Sequence, residues 1–130
     1  MGKYGQFITH KGKRILFINA AGLAEAECLA AFDEMEETLL KDKGGILVLI
    51  DVTGLELKKS LIDRAKAVTD STKAVGYHDK ASAVVGLTGL QKSVAQLFAR
   101  GTHWADSMEE AKDWLVNEEL ARDQRRQKKA

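Results

Sequence analysis

Five consecutive aliphatic residues at 46–50 (ILVLI) stand between Gly44-Gly45 and Thr53-Gly54. An unbroken apolar run of that length, bounded by glycine at both ends, predicts a fully buried strand. Its carboxyl end opens into Asp51-Val52-Thr53-Gly54, and a segment of helical spacing follows. In open α/β sheets, ligands and partners meet the protein outside the carboxyl ends of the strands. Asp51, Thr53 and Gly54 are therefore the first candidate site.

The flanking sequence predicts how that strand is surrounded. Residues 6–10 and 14–19 are short β-like runs joined by Lys11-Gly12-Lys13, which suits a hairpin. From Leu23 to about Asp42 the period changes. Leu29, Phe32, Met35 (or Glu36 in strict register) and Leu39 recur at three- and four-residue steps, predicting an amphipathic helix. Glu25 and Glu27 suit the positive end of its dipole, and Gly44 or Gly45 is its expected cap. A second helix is expected from about Leu57 to Ala74, with Leu57, Leu61, Ala65, Val68 and Thr72 inward. Residues 81–87 read as a strand. Thr88 and Gln91 form a capping box for a third helix carrying Leu90, Val94, Leu97 and Phe98. A last short strand is expected at 102–105. A second capping box, Ser107 with Glu110, opens a fourth helix with Ala111, Trp114 and Leu115 inward. The order β-β-α-β-α-β-α-β-α predicts an α/β domain with a mixed sheet of four or five strands: an antiparallel N-terminal hairpin, the remainder parallel. One domain is expected over 1–120, with 121–130 a charged, frayed tail.

Composition narrows the functional classes. A formal net charge of +1 over 130 residues gives no global attraction to nucleic acid or an anionic membrane. Lone Cys28 forms no internal disulfide, so a reducing, cytoplasmic setting is expected. The N-terminus shows no apolar core of a secretory signal, and no stretch approaches the roughly 18–20 apolar residues of a membrane span.

Each candidate residue has a functional and a structural reading. Asp51 and Thr53 either line a crevice for a ligand or partner, or form an Asx-type turn that starts the next helix. Gly86, Thr88 and Gly89 join a strand to a helix start, where backbone amides can hold an anion. They lack the P-loop Lys-Ser/Thr and the complete G-x-G-x-x-G, so a tight turn is the plainer use. Leu57, Leu61, Leu90, Val94 and Phe98 either line a pocket between the second and third helices or serve as core. Cys28 reads as a small core-facing residue, having no base beside it in sequence. His10, His78 and His103 are dispersed, and no H-x-x-x-H or C-x-x-C spacing brings metal ligands together. No metal or cofactor is expected. The basic run from Arg122 to Lys129 is diluted by Asp123 and carries no aromatic residue, which argues against nucleic acid.

The strings ILVLIDVTGL, SAVVGLTGLQKSVAQLF and SMEEAKDWL, in this order of elements, resemble the STAS superfamily and within it the SpoIIAA-like (STAS/SEC14-like) branch, over about residues 4–118. That resemblance implies a mixed sheet backed by helices, and the pass along the chain makes these four main helices. In the superfamily's anti-sigma-factor antagonists an Asp-Ser-Ser-Gly motif opens the second helix, and its second serine is phosphorylated. Here the region reads Lys58-Lys59-Ser60-Leu61. Ser60 falls one position early, and the acid and glycine are missing, which weighs against a phosphoserine switch. For the SpoIIAA-like branch, similarity to lipid-transfer domains implies small hydrophobic ligands.

Together these expectations describe a non-catalytic binding or regulatory module, monomeric or homodimeric. It recognises a protein partner near the carboxyl end of the central strand, with Asp51, Thr53, Gly54 and Ser60 at the contact. The alternative is a carrier holding a hydrophobic or lipid-like ligand between the second and third helices.

Overall fold

The structure, a computed structural model, describes residues 3–41, 46–56, 58–74, 82–87 and 102–129. Two strands, β1 (Gly5–His10) and β2 (Lys13–Asn19), form the antiparallel hairpin. Lys11 and Gly12 turn it with φ of 50° and 81°, the paired positive values that match the twist of a two-residue hairpin loop. Helix α1 (Glu25–Lys41) leads to β3 (Leu47–Asp51), and α2 (Lys59–Ala74) follows. Then come β4 (Ser82–Val85), β5 (Thr102–Ala105) and α3 (Met108–Lys129). The five strands lie in sequence order, antiparallel at β1–β2 and parallel thereafter. Among the described residues there are three helices. The helix expected from Thr88 lies outside them.

The aliphatic run does what its lack of alternation implies. Ile46 and Val48 join the core under α1 and α2 with Leu16, Ile18, Phe32 and Leu61. Leu47 and Leu49 point the other way, joining Ile15, Ala83, Ala111 and Leu115 under α3. Both faces of β3 are covered, so every position in the run is apolar. α1 and α2 share a face because each closes a right-handed crossover to the next strand in the same direction. Each fully buried aliphatic side chain contributes about 2–3 kcal/mol of transfer free energy.

Strand bounds shift by a residue or two, and three helix boundaries differ from expectation. α1 starts at Glu25 rather than Leu23, because Ala20 to Leu23 close a turn (Leu23 N to Ala20 O, 3.4 Å) and the Ala24 carbonyl takes the first helical bond from Cys28 N at 2.9 Å. α2 starts at Lys59 rather than Leu57. The Lys58 carbonyl accepts from Leu61 N and Ile62 N at 3.0 and 3.1 Å. α3 continues through the expected tail to Lys129. No glycine or proline interrupts 108–129, and Ala, Arg, Gln and Lys are good helix formers. Among the described residues no helix is long and apolar enough to cross a membrane.

Candidate functional site

The register sets Asn19, Asp51, Val85 and Ala105 side by side as the last residues of four parallel strands. The chain segments that leave them are bonded to one another. Ala20 N donates to Asp51 O at 2.9 Å, Gly22 N to Thr53 O at 2.9 Å, and Val52 N to Val85 O at 2.8 Å. The loops at 20–23, 51–56 and 85–87 therefore form one backbone-linked platform at the carboxyl edge. β3 and β4 are neighbours, so the two loops singled out in the sequence do meet.

Within the platform, Asp51 forms a turn. Its Oδ1 accepts from Thr53 N at 2.9 Å and from Thr53 Oγ1 at 2.6 Å, the Asx geometry. Asn19 does likewise more weakly, its Oδ1 accepting from Ala21 N at 3.2 Å. Gly86 has φ of 103°, and a Cβ placed there would lie 2.5 Å from the Thr53 nitrogen. Only glycine lets the β4 exit pass this close to Thr53. Thr53, Gly54, Gly22, Ala21 and Glu56 are exposed. The result is a hydrogen-bonded surface with few protruding side chains among the described residues.

Ser60 is held elsewhere. It lies on the first turn of α2, half-buried, and its Oγ donates to Glu25 Oε1 at 2.7 Å. Lys58 Nζ stands 3.3 Å from the other Glu25 oxygen. The Ser60 hydroxyl and then the Lys58 ammonium hold the Glu25 carboxyl below its ordinary value of 4.5, which makes Glu25 a poor base. α1 and α2 run parallel, so this bridge ties their positive N-terminal ends together through one carboxylate.

The polar seam continues along both helices. Arg64 Nε and Nη2 reach Asp33 Oδ1 at 2.9 and 2.8 Å, and Nη2 reaches Glu36 Oε1 at 2.9 Å. Ser71 Oγ donates to Glu36 Oε2 at 2.7 Å. Arg64, followed by Ser71, lowers the Glu36 pKa from 4.5.

Of the five hydrophobic residues proposed for a ligand pocket, only Leu61 is described, and it is a fully buried member of the core. Leu57, Leu90, Val94 and Phe98 lie outside the described residues, as do Thr88 and Gly89 of the anion loop. Cys28 is fully buried, and burial pushes its thiol up to about 11, so it is an unreactive core residue.

The two described histidines flank α3, on the opposite face from α1 and α2. His10 Nε2 lies 2.7 Å from Asp113 Oδ1, with Lys11 Nζ 2.9 Å from the same oxygen. His10, then Lys11, lowers the Asp113 pKa from 3.8. His103 Nε2 lies 2.8 Å from Glu110 Oε1, and its ring stacks on Trp114 at 4.6 Å and 10°. Sequence reading took Glu110 for a capping-box residue. Its amide does donate to Ser107 Oγ at 3.2 Å, but its carboxylate turns to His103. His10 and Asp113 stand 103 residues apart in the chain, whereas His103 and Glu110 are separated by only seven, across the turn from β5 into α3. Among the described residues no three His, Cys, Asp or Glu side chains gather as metal ligands. His78 lies outside them.

No family model matches the sequence, and no curated protein sequence is similar to it. A solved structure is similar: an uncharacterised protein from the DUF3478 family of Shewanella loihica PV-4, described as having a SpoIIAA-like fold. It superposes with a TM-score of 0.60 at 23% identity, over 85% of this chain and 91% of that one. At that identity the likeness speaks for architecture alone: this chain has a SpoIIAA-like α/β fold.

Proposed function

We propose that the chain is a non-catalytic recognition module that binds a protein partner on the carboxyl-edge platform. The observation that carries this reading is the backbone linkage of the three loops through Asp51, Thr53 and Val85. The Asp51 carboxylate is committed to its turn, and the Ser60 hydroxyl to Glu25. What faces outward is a fixed backbone surface with exposed Ala21, Gly22, Thr53 and Gly54. Such a surface lets a partner's backbone approach closely, and preorganisation lowers the ordering cost of association. Ser60 sits at the margin of this surface as a positioning residue for α1 and α2.

Ala21→Arg combined with Glu56→Arg adds bulk at two exposed platform positions without touching the turn bonds. Affinity capture with wild-type chain is expected to recover a partner that this double variant loses. Thr9→Glu, at the opposite end of the sheet beside Arg14, is expected to retain it. Equal capture by all three chains would place recognition elsewhere.

A further inference from the structure

β1 is the outermost strand of the sheet, so one of its edges has no neighbouring strand. Its two-residue turn closes on the bonded pair His10 and Lys13, and at the other end Asn19 N donates to Tyr4 O at 3.0 Å. Bonded residues alternate along an antiparallel pair. Gln6, Ile8 and His10 therefore bond to β2, and Gly5, Phe7 and Thr9 turn their amides and carbonyls outward. An open edge of this kind is a template for another strand.

One end of it is closed. Glu34 reaches from α1 and accepts from Tyr4 N at 2.8 Å and from Gly5 N at 3.3 Å. The outward groups of Phe7 and Thr9 have no hydrogen-bond partner among the described residues. Phe7 packs on the core under α1 and α2, Ile8 on the core under α3, and each is only half-buried. A strand that fits here brings two outward residues of its own and an apolar side chain to each face. β1 itself is such a strand.

Glu34 sets the register. With Gly5 taken, the one antiparallel register that uses both open residues of two copies puts Phe7 of each opposite Thr9 of the other. Each such pair exchanges two backbone bonds. Ile8 then faces Ile8 across the two-fold axis as a non-hydrogen-bonded pair, where β-branched side chains pack closely. Gly5 falls opposite Lys11 of the second copy, beside its turn. The charges there agree. Glu34 has no ion pair among the described residues, and Lys3 Nζ is turned over the Tyr4 ring at 5.3 Å. At the turn, Lys11 shares Asp113 with His10, while Lys13 has no acidic partner among the described residues. The axis brings Glu34 of each copy to the turn that carries Lys13 in the other.

We infer that this chain pairs with a second copy through β1, antiparallel about Ile8, so that two five-stranded sheets run on as one. The interface is isologous and closed. A strand of six residues is a small contact beside the roughly 1,200–2,000 Å² of stable interfaces, so the association is weak. It uses the lateral edge of the sheet and leaves the loops at 51–56 and 85–87 free.

Sedimentation velocity on the full chain tests this. Wild type is expected to pass from monomer to dimer between about 5 and about 500 μM. Thr9→Pro removes an outward amide and no bond to β2, a place where an edge strand tolerates proline. It is expected to weaken association roughly tenfold or more. Cysteine cross-linking reads the register. Ile8→Cys sets two thiols across the axis with Cα atoms about 4.5 Å apart, within disulfide reach. Gln6→Cys, on the same face, lies opposite His10 and meets no thiol. Cys28 is fully buried and does not compete. Under mild oxidation Ile8→Cys is expected to form a covalent dimer at least roughly tenfold faster than Gln6→Cys, and this comparison decides alone if Thr9→Pro loses the native far-UV spectrum. The inference is overturned by a wild-type chain that stays monomeric over the whole range, even one whose edge captures another extended peptide. A dimer that folded Thr9→Pro keeps, or equal cross-linking at positions 6 and 8, overturns it as well.

Discussion

At the scale of single residues, Gly86 and Gly22 separate two costs that usually arrive together. Both have positive φ, 103° and 65°. A Cβ at Gly22 meets nothing within 4 Å, whereas one at Gly86 runs into the Thr53 backbone. Gly22→Ala is therefore expected to cost only the conformational term, about 1 kcal/mol. Gly86→Ala adds a steric collision with main chain that cannot yield cheaply, so about 2–4 kcal/mol is expected. Urea unfolding of the two variants at neutral pH measures the difference, and equal losses would mean that the 51–56 loop gives way freely. Cys28 offers a second check. With its thiol pushed up to about 11 by burial, it is expected to react with a disulfide reagent at least a hundredfold more slowly in the folded chain than in urea. In both cases the sequence marked the position as structural without revealing the neighbour. Gly86 and Cys28 stand where space is tight, and the packing partner, Thr53 or the core under α1, is set by chain folded back from far away.

At the scale of elements, strands and helices were legible where one period ruled. β3 was evident from its unbroken aliphatic run, and the hairpin from Lys11-Gly12 between alternating segments. α1 showed its inward side in Phe32, Met35 and Leu39, all buried, with Met35 rather than Glu36 facing the core. Glu36 instead holds Arg64 at 2.9 Å, a lateral pairing that hydrophobic spacing does not encode. The end of α3 was illegible for a different reason: the inward side read from Ala111, Trp114 and Leu115 gives no stop signal, and the helix runs on to Lys129 through residues of good helix propensity. Backbone amides of α3 up to Val116 are accordingly expected to exchange slowly, and those beyond it much faster, in hydrogen exchange at high salt. Uniform protection along 108–129 would show that the end of α3 is held as firmly as its start. The candidate site was half legible. Asp51, Thr53 and Gly86 are brought together as their strand ends implied, while Ser60 is drawn away by Glu25, which the sequence placed 35 residues distant.

At the scale of the molecule, the carboxylates with lowered pKa are also the ones that tie separate elements together. Glu25 and Glu36 join α1 to α2, and Asp113 joins α3 to the hairpin. Their hydrogen bonds favour the charged form, so the folded-state pKa of each lies below its ordinary value of 4.5, 4.5 and 3.8 respectively. Between the folded and unfolded values, the unfolded chain binds more protons, and stability rises with pH. The contribution is therefore complete above about pH 5 and is lost as pH falls through the depressed values. All three groups act in the same direction, so acid is expected to loosen both helical layers together instead of releasing one. Arg64→Met removes the fork on Asp33 and Glu36 and lets Glu36 titrate nearer its ordinary value. Its cost at neutral pH is expected to be about 1–2 kcal/mol, discounted for the partial exposure of the pair. Because Glu36 then contributes less to proton uptake on unfolding, the gap between variant and wild type is expected to narrow on going from about pH 6 to about pH 3.5. Thermal unfolding followed across that range tests it. A constant gap would mean that Arg64 stabilises α1 against α2 by packing its aliphatic stem and not through the carboxylates.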